Sequence, residues 1–149
     1  MPELGDRGQT QLLLHGAIVL FIGLLCGIPF AVAAGNAWGE EAVRAWRVAH
    51  TGGAAVGLML LAIGAVLPRL VLGNRAAASL AWSLVASGYS FTLGVLVAAT
   101  AGVRGLQAAG PAPNWVVFVS YAVGTVGAIL GVVLLIVGAA AALRGEPEG

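Results

Sequence analysis

Residues 12–34 read LLLHGAIVLFIGLLCGIPFAVAA and contain no charged side chain. The hydrocarbon core of a bilayer is about 30 Å thick, and about 20 apolar residues in an α-helix cross it. This stretch is therefore long enough to form a transmembrane helix. Three other stretches are as long and as apolar, and only Arg69, near the end of one of them, adds a charge. The sequence predicts four spans, at about residues 12–34, 48–72, 76–102 and 115–143.

The composition supports the same fold class. Hydrophobic residues make up 60% of the 149 residues and charged residues 9%, whereas soluble proteins are about one quarter charged. The connections between the spans are short and contain turn-forming residues; they are residues 35–41, 73–75 and 105–114. We therefore predict an all-α, integral membrane four-helix bundle that forms a single transmembrane domain over residues 1–149.

The charged residues indicate a membrane protein and exclude a nucleic-acid partner. All seven basic residues are Arg and the formal net charge is +1, so the chain has no basic face for nucleic acid. Four of the Arg residues lie on the side of the two termini and three on the other side, which favours both termini in the cytoplasm. We expect the protein in the inner (cytoplasmic) membrane of a bacterium.

The spacing of glycines predicts close packing of helices. The chain has 23 glycines, and small residues four apart on a transmembrane helix let two backbones approach closely. This pattern leaves two interpretations open, a tightly packed monomer and a homo-oligomer. The pairs with this spacing are Gly23 and Gly27, Gly53 and Gly57, and Gly127 and Gly131.

Polar side chains inside the spans are few, and they restrict the possible chemistry. No Asp, Glu, Lys or Arg lies deep in a predicted span, which argues against a proton relay or ion-coupled transport. The sequence has no nucleotide-binding loop and no Cys/His spacing typical of a zinc site. Hydroxyl groups in transmembrane helices usually bond to the preceding turn. The two histidines, His15 and His50, are therefore the candidates for a functional site.

His50 stands above a strip of small residues on one face of the second span, formed by Gly53, Ala54 and Gly57. Such a strip predicts a flat groove in which a planar macrocycle lies against the backbone. In this interpretation His50 is the metal ligand, and the three small residues bind the cofactor. The same spacing fits a second interpretation, in which His50 bonds a carbonyl group and the small residues pack against another helix.

His15 lies in the first span, which starts from the opposite membrane surface. We predict that the two histidines are separated by roughly 20 Å along the membrane normal. One iron then cannot bind both histidines within a subunit. An iron held by His50 keeps its other axial position free, which is typical of a chemical role rather than of simple electron transfer.

The sequence around both histidines resembles that of the styrene oxide isomerase family. The similarity covers the first two helices and, more loosely, the order and length of all four. It rests on residues 46–52 (WRVAHTG), Gly57, Met59 and residues 67–68 in the second span, and on His15, Gly16, Phe21 and residues 24–25 in the first.

The resemblance implies a cofactor, an assembly and a reaction. The family's enzymes are homotrimers that hold heme b at subunit interfaces through one axial histidine, which corresponds by position to His50. They rearrange an epoxide to an aldehyde without net oxidation or reduction, and ferric iron acts as the Lewis acid. The expected substrate here is a small apolar epoxide.

Three positions depart from the family's pattern. The isomerases carry an Asn six residues after the axial histidine, where this chain has Val56. They also carry an Asp and a Tyr on the third helix, where it has Ser87 and Val95. Tyr89 lies nearby and is the predicted catalytic residue, because it can supply a hydroxyl group from a different turn. Fold and heme binding therefore carry over more readily than substrate and activity.

Three functions remain after this comparison of residues. The first is a heme-dependent epoxide isomerase. The second is a heme-binding membrane protein without isomerase activity, used in redox chemistry, sensing or heme handling. The third is a cofactor-free bundle that acts as a partner subunit.

Overall fold

The structure, a computed structural model, describes residues 4–36 and 38–145, with side chains from Arg7 onward. Residues 1–3, 37 and 146–149 of the predicted domain lie outside this described part. The described residues form helices joined by turns: α1 (Leu4–Leu25), α2 (Gly27–Gly35), α3 (Glu40–Val66), a 3₁₀ turn (Leu67–Arg69), α4 (Asn74–Ala101) and α5 (Ala112–Arg144).

Four helical segments in the described residues are long and apolar enough to cross a membrane: Arg7–Gly35, Glu40–Arg69, Asn74–Ala101 and Ala112–Arg144. The first of them combines α1 and α2. The prediction of an all-α, integral membrane four-helix bundle is confirmed.

Helix α3 begins earlier than the hydropathy pattern predicts, at Glu40 rather than at residue 48. A helix does not stop where hydrocarbon ends, and Glu40 and Glu41 in its first turn suit the positive end of the helix dipole. His50 is therefore ten residues from the start of α3, which is about 15 Å along its axis. A span that starts at residue 48 would place His50 in the first turn of the helix, and this expectation was wrong.

The first span is interrupted by a one-residue break at Cys26, between α1 and α2. Pro29 has no N–H group, and its ring clashes with the carbonyl group four residues earlier, that of Leu25. The break is local, because the Cys26 N–H still donates to the Ile22 carbonyl oxygen at 3.1 Å. The Cys26 side chain is buried. The segment beyond the break, α2, packs against α3.

The helices form a three-helix core with a fourth helix on its outside. Helices α1, α3 and α4 pack against one another, whereas α5 packs chiefly against α4. The core between the first three is apolar, and its largest fully buried side chains include Leu12, Val19, Leu60, Leu80 and Leu84.

Helices α1 and α3 approach each other closely, and their crossing depends on glycines. A Cβ atom on Gly23 would collide with the backbone of Gly53 and Ala54. One on Gly57 would collide with the Leu20 backbone. The two backbones lie too close for a side chain at these positions, and close packing of membrane helices commonly depends on such small residues.

The third predicted glycine pair lies at the crossing of α4 and α5. A Cβ atom on Gly127 would lie 2.7 Å from the Ser83 carbonyl oxygen, and one on Gly131 would collide with the Leu84 side chain. The three pairs are thus used for packing inside the subunit. The interpretation as a tightly packed bundle accounts for them, and an oligomer must be argued on other grounds.

Candidate functional site

The imidazole ring of His50 has a defined orientation. Its Nδ1 atom lies 2.9 Å from the carbonyl oxygen of Gly23. A carbonyl oxygen only accepts hydrogen bonds, so Nδ1 carries the proton and the ring is held in one tautomer. The lone pair that can bind a metal is then on Nε2.

The Nε2 atom of His50 is available at the surface of the subunit. Within the described part of the chain it has no hydrogen-bond partner, and no buried side-chain nitrogen or oxygen there lacks one. Because His50 is half-buried, Nε2 is therefore at least partly accessible. Metal-binding histidines usually donate their other N–H group to a carbonyl or carboxylate, so this arrangement fits an axial ligand.

Helix α2 forms the wall behind the ring. The ring of Phe30 is stacked on that of His50, with centroids 6.3 Å apart and an interplanar angle of 14°. A Cβ atom on Gly27 would lie 3.2 Å from both Cε1 and Nδ1 of the imidazole. The glycine thus makes space for the ring, and the break at Cys26 leads directly into this contact.

The groove predicted beside His50 is closed within the subunit. Gly53 and Gly57 are buried, and helix α1 covers both of them, Gly53 against Gly23 and Gly57 against Leu20. Of the three small residues of the predicted strip, Ala54 alone is half-buried. Because Gly53 and Gly57 pack against α1, they do not line an open surface to which a macrocycle could bind.

The structure therefore has both features of the interpretation in which His50 is not a metal ligand. His50 bonds a carbonyl group, and the small residues pack against another helix. The bond uses Nδ1 alone, however, and ligation through Nε2 is compatible with it. A planar ligand would approach from the outer face of His50 rather than along the strip of glycines.

His15 is fully engaged in a polar cluster between α1 and α4. Its Nε2 atom lies 2.9 Å from the Gln11 Oε1 atom, an acceptor, so Nε2 carries the proton. Its Nδ1 atom then accepts from the Tyr89 hydroxyl group, also at 2.9 Å. The ring of Trp82 lies 6.0 Å away. Both ring nitrogens are in use, and His15 links two helices.

The structure does not bring Tyr89 and His50 together within a subunit. Gly16, next to His15, packs against Leu61 of α3, and Gly23 packs against Gly53. Tyr89 and His15 therefore lie level with Leu61, eleven residues from His50 on α3, or about 16 Å along the helix. This is somewhat less than the separation predicted for the histidines, and one iron still cannot reach both.

The positions that depart from the isomerase pattern have structural roles here. Ser87 is 1% exposed and its hydroxyl group donates to the Gly124 carbonyl oxygen at 2.7 Å, joining α4 to α5. Val56 is half-buried against the apolar core. Val95 is also half-buried. Most other described hydroxyl bonds run within one helix, as predicted; they are those of Thr51, Ser83, Thr92 and Thr100.

Sequence reasoning missed three groups that position the two histidines. Gln11 could have been found, because it precedes His15 by one helical turn. The Gly23 carbonyl and Phe30 could not, because they meet His50 only after α1 and α2 have packed against α3.

A comparison against protein families gave a match over most of the chain. A family model described as "SOI: Styrene oxide isomerase" matches residues 8–140 of the chain. The match includes both histidines and extends through the four membrane-spanning segments. The comparison with curated proteins gave no match.

Proposed function

The chain belongs to the styrene oxide isomerase family, and from this premise we propose that it is a heme b-binding membrane enzyme that isomerises an epoxide to an aldehyde. Three elements make up the proposal: the cofactor, the assembly and the reaction.

The accessible Nε2 atom of His50 is the observation that carries the cofactor proposal. Gly23 holds the tautomer, while Phe30 holds the plane of the ring. A single histidine ligand suits iron whose equatorial ligands come from a porphyrin. His50 would therefore hold the iron of heme b through Nε2.

The position of Nε2 also supports an oligomer. A macrocycle bound at the surface of a single subunit would have one face open to lipid, and a neighbouring subunit would cover it. Together with the family's assembly, this favours a homotrimer with the cofactor at subunit boundaries. Native mass spectrometry should show trimers; monomers that keep their heme would contradict this element.

Bound ferric heme b would supply a Lewis acid that polarises the C–O bond of an epoxide. His50 would hold this group in place beside the apolar surface of the subunit. The span that carries His50 is apolar, and an apolar setting keeps water away from a carbon that becomes electron-poor. A small apolar epoxide would reach this site from the bilayer.

The predicted catalytic role of Tyr89 remains a prediction, and two observations argue against it. The Tyr89 hydroxyl group is bonded to His15. A ring of subunits around an axis normal to the membrane preserves heights, so the offset between Tyr89 and His50 persists between neighbours as well.

The first test is the colour of the protein purified in detergent from heme-replete cells. We expect a Soret band that His50→Ala abolishes and the matched control, His15→Ala, retains. A colourless wild-type preparation would refute heme binding and favour the cofactor-free partner subunit.

The second test is the reaction itself. Ferric protein is incubated without reductant with styrene oxide and with bulkier and aliphatic epoxides, and aldehyde is measured by gas chromatography. We expect aldehyde above the level of free heme for at least one epoxide, and none above that level with His50→Ala.

A heme protein without isomerase activity is the second candidate. The apolar side chains of Val56 and Val95, and the engagement of Ser87 with Gly124, favour it, because the family's polar groups at these positions are missing. A Soret band that depends on His50, with no aldehyde from any epoxide, would be its result.

A further inference from the structure

An open cleft lies where the end of α2 meets the start of α3. Its volume is about 520 Å³, and its lining includes Ala33, Glu40, Arg44 and Arg47. It lies about one helical turn from the contact of Phe30 with His50, towards the membrane surface where α3 begins. The cleft and His50 are therefore neighbours on the same side of the subunit.

The two arginines of the cleft have no carboxylate partner among the described residues. The carboxylate in the first turn of α3 that does form an ion pair is Glu41, and it binds Arg104 at 2.9 Å. Glu40 also lines the cleft but makes no ion pair with either arginine. The cleft thus holds two positive charges and one negative charge, an excess that suits an anion.

Arg47 is connected to His50 through an aromatic ring. Its guanidinium carbon lies 5.6 Å from the centroid of the Phe30 ring, and the same ring stacks on the imidazole. Arg47 is exposed, and this contact places its guanidinium group beside the ring that stacks on His50.

Resting on the proposed function, we infer that Arg47 and Arg44 bind the propionate carboxylates of the heme held by His50. Heme b has two such carboxylates at one edge, and burying them without partners near a bilayer is costly. Guanidinium groups bind carboxylates in a bidentate manner, with strong charge-assisted hydrogen bonds. The arginines would orient this edge towards the membrane surface.

The test measures heme loss from the full-length holoprotein in nanodiscs, with excess apomyoglobin as the acceptor. Arg47→Gln and Arg44→Gln should each speed heme loss about tenfold, the effect expected for one charge-assisted hydrogen bond. Arg47→Lys should restore part of the difference. Arg75→Gln, an exposed position at the start of α4, is the matched control and should match the wild type.

A second cofactor distinguishes an effect of the arginine charges on the propionates from a structural effect of the substitutions. The same proteins are loaded by exchange with iron protoporphyrin IX dimethyl ester, which keeps the iron and lacks the carboxylates. The variants should lose the diester at the wild-type rate, and high salt should speed the loss of heme b from the wild type only.

The outcomes distinguish this inference from the proposed function. Equal acceleration for heme b and its diester would overturn the inference, because Arg47 would then act only by supporting Phe30. Unchanged rates in the variants would also overturn it and would point to lipid phosphate groups as partners of the arginines. In both cases a Soret band that depends on His50 would leave heme binding intact. A colourless wild type would overturn both.

Discussion

The Nδ1 atom of His50 lies 2.9 Å from the carbonyl oxygen of Gly23, on a helix that runs alongside α3. The same glycine touches the backbone of Gly53. One residue thus permits the close approach of α1 and α3 and provides the acceptor that holds the imidazole. Any side chain at position 23 would separate the helices and remove the acceptor from its place.

Gly27→Ala should disturb the imidazole of His50. The added methyl group would lie 3.2 Å from two ring atoms, so the ring must shift by a few tenths of an ångström and its bond to Gly23 must lengthen. We expect a several-fold lower heme content and a shifted Soret band. Gly35→Ala, where a methyl group would meet nothing within 4 Å, is the control. Equal spectra for the two variants would show that the ring tolerates the contact.

Gly57→Ala should destabilise the bundle. The new Cβ atom would collide with the backbone of Leu20, and overpacking of this kind costs about 1–3 kcal/mol. Thermal unfolding in detergent, followed by circular dichroism, should show a lower Tm. Gly52→Ala, five residues earlier and without a neighbour within 4 Å, should not lower it. If both variants unfold at the wild-type temperature, α1 and α3 are not in close contact at Gly57.

Tyr89→Phe should affect stability and leave the heme site unchanged. It removes the hydrogen bond to His15, and such bonds between transmembrane helices contribute about 0.6 kcal/mol on average. We expect a slightly lower Tm, with unchanged Soret band and aldehyde production. Tyr121→Phe, at a tyrosine that packs against Phe91, is the control. A large loss of turnover in Tyr89→Phe with little change in Tm would restore its predicted catalytic role.

Ser87→Ala should weaken the contact of α4 with α5, because it removes the bond to the Gly124 carbonyl oxygen. Ser83→Ala, whose hydroxyl group bonds within its own helix, should lower the Tm less. Ser87→Asp restores the family's residue but puts a carboxylate in a site that is 1% exposed. It should lower the Tm most of the three, because a buried carboxylate beside a carbonyl oxygen lacks a donor. A gain of aldehyde production with Ser87→Asp would contradict this view of the position.

The fold could be predicted from the sequence because length and hydropathy alone determine what can cross a bilayer. The start of α3 could not be predicted, because the helix begins at Glu40, eight residues before the apolar stretch that starts at residue 48. Hydropathy marks where a helix is buried in lipid, and it contains no signal for where helical hydrogen bonding begins.

The candidate site was only partly predictable. His50 could be singled out as a histidine beside small residues. The packing of Gly53 and Gly57 against α1 could not be predicted. A flat helix face can accept a cofactor or another helix, and the position of α1 decides between them. The bond from Tyr89 to His15 spans 74 residues, and no local pattern indicates it.

Helix α5 lies on the outside of α4, away from the helices that hold the imidazole of His50. Helix α5 packs chiefly against α4 and accepts a hydrogen bond from the Val71 N–H group at the Gly138 carbonyl oxygen. Helices α1 and α2, by contrast, touch the imidazole of His50 directly. The outward side chains of α5, such as Val126, Ile129 and Ile136, are largely exposed. Substitutions among them can adapt the subunit to lipids of different thickness or to new neighbours while the histidine keeps its geometry.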